Sequence, residues 1–166
     1  MILSAAPGSA LAASQRDPFY IEGHPIGFDS PVNKRGAPTS YKLDFEFGYH
    51  PSNRHDEFVI GVRQGFYLPS VGASGFTAMR LGYDIPILVK GGRMEVTIAP
   101  YGLGGINYSF EGNGVAGLIA FGIEGRFFPI ANNGFFATGR PFEIDIFIRS
   151  NPTVTYAFML GAGYAF

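Results

Sequence analysis

His24, His50 and His55 are the chain's only imidazoles, and it contains no cysteine. That limits metal and covalent chemistry to a few positions. His50, His55, Asp56 and Glu57 crowd one turn and could in principle hold a metal ion, but a polar turn between two strands uses the same residue types with no ion at all. His50 is followed by Pro51 and Ser52, the beginning of a His–Ser pair. Nucleophilic catalysis also needs a third group to orient the imidazole and donors for an oxyanion, and the sequence assigns neither. The glycine-rich stretch "GLGGINYSFEGNG" lacks the strand–turn–helix context of a phosphate cradle and reads as close backbone packing followed by a loop. No catalytic residue, metal ligand or cofactor is therefore expected.

The acids and bases say more through their spacing. In "YKLDFEFGY", Lys42, Asp44, Glu46 and Gly48 alternate with Leu43, Phe45, Phe47 and Tyr49. Successive side chains of a β-strand point to opposite faces, so the charges share one face and the rings the other. The same alternation recurs after each cluster of turn residues. "EFVIGVRQGFYL" sets Glu57 and Arg63 against Phe58, Ile60 and Val62, and "TAMRLGYDIPI" sets Arg80 and Asp84 against Met79, Leu81 and Tyr83. A long strand from about Met94 to Phe110 carries Glu95, with a bulge expected at Pro100–Gly105 where alternation blurs. Glu124 and Arg126 oppose Phe121, Ile123 and Phe127. After a longer connection, "ANNGFFATGRP", the stretch "FEIDIFIRS" opposes Glu143, Asp145 and Arg149 to Phe142, Ile144, Ile146 and Ile148. The last strand, "TYAFMLGAGYAF", has an aromatic face and a small, uncharged one.

This makes seven clear strands and no convincing helix. An eighth is expected in Pro18–Phe28, against the cost of Pro25, which cannot donate to a ladder.

Which face lies inside follows from the residues that are not apolar. Of 166 residues only 15% are charged, while 46% are apolar, 16% aromatic and 24 are glycine. A water-soluble barrel with its rings inside would show solvent Thr155, Ala157, Met159, Gly161, Gly163 and Ala165 on its last strand, with nothing to keep it dissolved. A membrane barrel reverses the faces: rings to lipid, charges to a lumen that eight strands leave only wide enough for side chains. The inward cations are then Lys42, Arg63, Arg80, Arg126 and Arg149, facing the carboxylates of Asp44, Glu46, Glu57, Asp84, Glu95, Glu124, Glu143 and Asp145. Buried charges persist when paired and hydrogen-bonded, and interleaved signs permit such a network. Tyr41, Tyr49, Tyr108, Tyr156 and Tyr164 fall near strand ends, where interfacial aromatic belts form. No run of 18 apolar residues exists to form a membrane helix, and a net charge of -1 gives no electrostatic ground for binding nucleic acid.

With its closing "FMLGAGYAF", in which Phe158, Leu160, Ala162, Tyr164 and Phe166 alternate, the chain resembles the small bacterial outer-membrane β-barrels, the class of the outer-membrane protein A transmembrane domain and outer-membrane protein X. The resemblance covers about residues 40–166. It implies that Phe158, Leu160, Tyr164 and Phe166 form a signal read by the barrel-assembly machinery. If the last strand ends on the periplasmic side, Lys34 and Arg35 in the first connection face outward, either as part of a solvated loop or toward lipopolysaccharide phosphates.

The expected fold is an all-β, eight-stranded, antiparallel up-and-down transmembrane β-barrel over residues 17–166. Residues 1–16 read as a signal-like remnant or a disordered tail, on the strength of an Ala10-x-Ala12 cleavage-like site without a basic start. The expected function is non-enzymatic: an integral outer-membrane protein, structural or interacting, in contact with lipid and lipopolysaccharide, whose protein partner the sequence does not name. The outer loops "PSVGASG", "EGNG" and "SNP" are short for an adhesin. Two rivals stand beside this reading: a narrow pore or conduit for small ions or apolar ligands lined by Arg63, Arg80, Asp84 and Glu124, and a lipid-modifying enzyme.

Overall fold

The computed structural model describes residues 18–33, 38–51, 58–68, 73–90, 94–111, 114–130 and 134–166. Nine strand segments occur: β1 (Phe19–Pro31), β2 (Ser40–Tyr49), β3 (Phe58–Leu68), β4 (Ser74–Tyr83), β5 (Ile85–Lys90), β6 (Met94–Ser109), β7 (Val115–Phe128), β8 (Phe135–Ile148) and β9 (Thr153–Ala165). All neighbours are antiparallel, in the order β4-β3-β2-β1-β9-β8-β7-β6-β5, and β4 also pairs with β6. That last pairing closes the sheet on itself. β4 and β5 are two halves of one strand interrupted at Asp84, so the barrel has eight staves in up-and-down order.

The break has a partner across the ladder. β4 follows β6 as far as Gly82↔Tyr101, and β5 resumes at Ile85↔Ile98. Opposite the gap stand Ala99 and Pro100, and proline has no N–H to offer there. The expected bulge at Pro100–Gly105 is absent: β6 pairs without a register shift from Glu95↔Phe128 to Tyr108↔Val115. Alternation seemed to blur because Tyr101 and Leu103 point inward among the charges. Register shifts occur elsewhere, between His24 and Phe28 around Pro25 and between Arg140 and Glu143 at Pro141. Each puts a proline where no ladder donor is required. At the second shift the Tyr156 hydroxyl donates to the Pro141 carbonyl, which satisfies a backbone acceptor on a wall that has no water to do it.

The first stave runs to Pro31, three residues beyond the expected Phe28. The expected connection 131–141 is a larger misreading. β8 begins at Phe135, just after Gly134 at φ +73°, and the stretch from Phe135 to Arg140 alternates outward and inward like any other stave. Gly139 and Pro141 disguised it as a loop.

Burial is inverted relative to a soluble protein. Phe28, Phe45, Phe47, Val62, Met79, Leu81, Ile119, Phe121, Ile148 and Tyr164 are exposed, whereas Lys42, Asp44, Arg63, Arg80, Glu124, Glu143 and Asp145 are fully buried. A continuous apolar wall of this kind, on a sheet closed upon itself by the β4–β6 pairing, suits hydrocarbon and not water. Size is matched across the inner face. Arg80 lies beside Gly61, Arg63 beside Ala78, Glu124 beside Ala99, and Glu143 beside Gly122. The Tyr20 ring occupies the space over Gly48, where a Cβ would sit 2.0 Å from it. The seam between the first and last staves closes with two backbone bonds, Phe19 N–H to Phe166 O at 3.2 Å and Phe166 N–H to Phe19 O at 2.8 Å.

Candidate functional site in the barrel lumen

The lumen is layered. At the end where Phe19 meets Phe166, Tyr20, Val59, Phe128, Phe136 and Ala165 pack together; near the opposite mouth, Tyr67, Phe76, Tyr101, Leu103, Leu118 and Phe147 do the same. Between these apolar plugs lies a slab of ion pairs. The alternation in the sequence assigns none of these aromatics to the outer wall, and they stand on the inward phase of their strands.

Arg140 is the hub of the slab. Its guanidinium meets Glu22 at 2.5 Å, Asp44 at 2.8 Å, Glu124 at 2.8 Å and Glu46 at 3.3 Å. These carboxylates come from β1, β2 and β7, so one side chain ties β8 to three other staves. Arg80 reaches Glu46 at 2.7 Å, Glu124 at 3.0 Å and Glu22 at 3.5 Å. Arg63 bridges Glu46 at 2.8 Å and Glu143 at 2.6 Å. Toward the Phe19 and Phe166 end Arg126 pairs with Glu124 and with Asp84 at 3.1 Å, and Asp84 also meets His50 Nε2 at 3.1 Å. Toward the other mouth Lys42 lies 2.5 Å from both Glu143 and Asp145.

Tyrosine hydroxyls take lone pairs that the cations leave. Tyr20 donates to Glu46 at 2.5 Å, Tyr67 to Asp145 at 2.8 Å and Tyr101 to Glu143. Their ring faces serve the cations as well. Arg80 and Arg63 lie 4.5 and 4.8 Å from the Tyr101 centroid, and Arg126 lies 4.3 Å from that of Tyr20. A buried ion is costly unless such contacts surround it.

Of the expected lumen residues, the structure places Lys42, Asp44, Glu46, Arg63, Arg80, Asp84, Glu124, Arg126, Glu143 and Asp145 in this connected set. Glu95 is buried beside Thr97, whose hydroxyl donates to it at 2.8 Å. Arg149 is not in the lumen. It follows the last residue of β8, is exposed, and rests over the Phe147 ring with a 3.4 Å contact to Asn107. Glu57, His55, Asp56, Ser52, Lys34, Arg35 and residues 1–16 lie outside the described residues. Phe158, Leu160, Tyr164 and Phe166 all face outward on β9 or just after it.

Three central residues escaped the sequence reading. Glu22 and His24 lie on the proline-bearing first stave, and Arg140 in the supposed connection. Their signal was present: Tyr20, Glu22 and His24 alternate with Phe19, Ile21 and Gly23, and Phe136, Thr138 and Arg140 with Phe135, Ala137 and Gly139. Glu22, His24 and Glu124 bring one ligand atom each within 4.8 Å of one another. Those two carboxylates are already held by Arg80, Arg126 and Arg140, and His24 by Asp44 at 3.0 Å. Three guanidiniums repel a cation from that spot.

A closed eight-stave barrel, apolar outside and ionic within, is the fold of the small bacterial outer-membrane β-barrel proteins. Solved structures of that class superpose on the chain. Neisserial surface protein A aligns with a TM-score of 0.60 at 10% identity, covering 87% of this chain and 94% of its own. The N-terminal β-barrel domain of Pseudomonas aeruginosa OprF aligns with a TM-score of 0.54 at 13% identity, covering 92% of this chain and all of that domain. No protein-family model matches the sequence, and a search of the curated proteins finds no match. The kinship is one of fold: the staves, their closure and their membrane-facing wall.

Proposed function

We propose that the chain is a non-enzymatic integral outer-membrane protein with a structural or interaction role, and that its lumen is sealed and does not conduct. The observation that carries this reading is the Arg140 guanidinium, shared among four carboxylates of three other staves in mid-lumen. To open a path, several fully buried charge pairs would have to part together in a low-dielectric interior. The apolar plugs at both ends add a second barrier to ions. Lipid and lipopolysaccharide acyl chains would cover the outer wall, and the barrel-assembly machinery would read Phe158, Leu160, Tyr164 and Phe166 before closure. Against catalysis stands His50, which faces the lumen and spends Nε2 on Asp84, turned away from the lipid that an outer-membrane lipid hydrolase or transferase would act on.

Planar-bilayer recording of the purified barrel tests the seal. The expected result is a silent membrane at physiological ionic strength. Reproducible conductance steps that disappear in R80A would overturn the reading in favour of a pore. Mass spectrometry of lipid A with and without expression tests the absence of catalysis, with unchanged acyl chains expected.

A further inference from the structure

Among the described residues the buried charges do not balance. Glu22, Asp29, Asp44, Glu46, Glu124, Glu143 and Asp145 are buried carboxylates, against the five buried cations of Lys42, Arg63, Arg80, Arg126 and Arg140. An uncompensated carboxylate is too costly to keep in such a medium, so the surplus has to be neutralised somewhere.

The polar atoms without partners show where. Asp29 on β1, 5% exposed, makes no ion pair, and its Oδ1 accepts no hydrogen bond. Asp145 on β8 gives Oδ2 to Lys42 and Tyr67, while its Oδ1 is unpartnered. Between them on β9, Thr155 is 2% exposed and its hydroxyl also lacks a partner of hydrogen-bonding geometry. The register brings the three together: Thr155 faces Asp145 on one side and Pro31 on the other, and Asp29 faces Ala157, the next inward residue of β9. Glu143 adds a third negative charge, with Lys42 as the one cation wholly committed to this layer and Arg63 shared with Glu46.

The geometry points to a cation site at the mouth away from Phe19 and Phe166, in which Asp29 Oδ1, Asp145 Oδ1 and Thr155 Oγ1 bind one hard divalent cation, with water completing its shell. All the donors are oxygen, which selects a hard ion over zinc or copper. Ca2+ fits better than Mg2+. Three ligands fixed on separate staves cannot contract to a regular octahedron at about 2.1 Å, whereas calcium accepts irregular sets at about 2.4 Å. With Lys42 holding the other oxygen of Asp145, the ion would complete the neutralisation of that layer and tie β1, β9 and β8 together beside the barrel seam.

The test uses the folded barrel in lipopolysaccharide-free zwitterionic micelles, with Tb3+ as a luminescent probe for calcium. The Tyr67 hydroxyl, 2.8 Å from Asp145, places a sensitising ring beside the site. We expect saturable emission with one Tb3+ per chain, displaced by Ca2+, and a rise in melting temperature with Ca2+ that EDTA reverses. D29N should weaken binding at least about tenfold, and E111Q, at an exposed turn, should leave it unchanged. Folding of each variant is verified by its heat-modifiable migration on gels. Should D29N fail to fold, T155V, which keeps both carboxylates, decides by the same readout. Absence of saturable binding to the wild-type barrel, or equal binding by a folded D29N or T155V, overturns the site. A stability that rises on acidification and ignores Ca2+ overturns it too, since a proton would then be the neutralising ion.

Discussion

Arg140 Nη2 lies 2.5 Å from Glu22 Oε1, a contact between residues 118 positions apart that locks β8 to β1 through the middle of the barrel. The two strands are not neighbours in the sheet: β9 stands between them. The contact therefore reaches across β9 and braces the seam between β1 and β9 independently of their backbone ladder.

The two partners are not equivalent, because carboxylates outnumber cations in the lumen. R140M would leave Glu22, Asp44, Glu46 and Glu124 around an uncharged side chain and should cost about 3–5 kcal/mol, the range seen when one partner of a buried pair is removed. E22Q removes one negative charge from a surplus and retains a polar group of the same shape, so it should cost less, about 1 kcal/mol. Urea unfolding in micelles, followed by far-ultraviolet circular dichroism, measures both. Equal losses would show that Arg140 is not the hub.

Glycines on the inner wall make room for rings. G48V would drive a side chain into Tyr20, where a Cβ already sits 2.0 Å from the ring, and should destabilise by about 1–3 kcal/mol through overpacking. G104A provides the contrast. Gly104 is exposed on the outer wall and a Cβ there meets nothing within 4 Å, so the same unfolding experiment should find no significant loss.

The outer wall makes the opposite demand. Phe121 lies midway along β7 and faces lipid, so F121R should cost about 2–4 kcal/mol, while Y41R, at the end of a stave in the interfacial belt, should cost about 0–1 kcal/mol. Folding yield into lipid vesicles, read as the fraction that migrates as the compact form, should fall for F121R and hold for Y41R. Matching yields would place Phe121 away from the hydrocarbon.

The staves were legible where ring and charge alternate without interruption, as in Tyr41–Tyr49 and Phe142–Ile148, because a period of two is imposed by strand geometry itself. That phase placed Lys42, Asp44, Glu46, Glu143 and Asp145 on the inner face. Legibility failed where a proline sits at a register shift. Pro25 obscured Glu22 and His24, and Pro141 hid Arg140, so the hub of the network was read as loop. The lumen plugs were legible only in part: Tyr67 and Phe147 share the inward phase of Arg63 and Asp145, yet an aromatic residue is compatible with a lipid-facing wall and with a lumen plug alike. Only the phase relative to neighbouring charges separates the two, and at strand ends few charges remain to set it. Arg149 erred in the other direction, since alternation cannot show where a stave leaves the membrane.

On the proposed function, adjacent residues of one stave occupy a lipid face and a sealed lumen. The native chain has no cysteine, so single-cysteine variants report without background. A120C replaces a buried small residue of β7 by another small one, and F121C lies next to it on the outer wall. A fluorophore attached to F121C before refolding into lipid vesicles should be quenched by brominated acyl chains, and the sulfhydryl of A120C should resist a water-soluble methanethiosulfonate until the barrel is unfolded. Rapid modification of A120C by the water-soluble reagent in the folded barrel would mean a lumen open to water and would contradict the account.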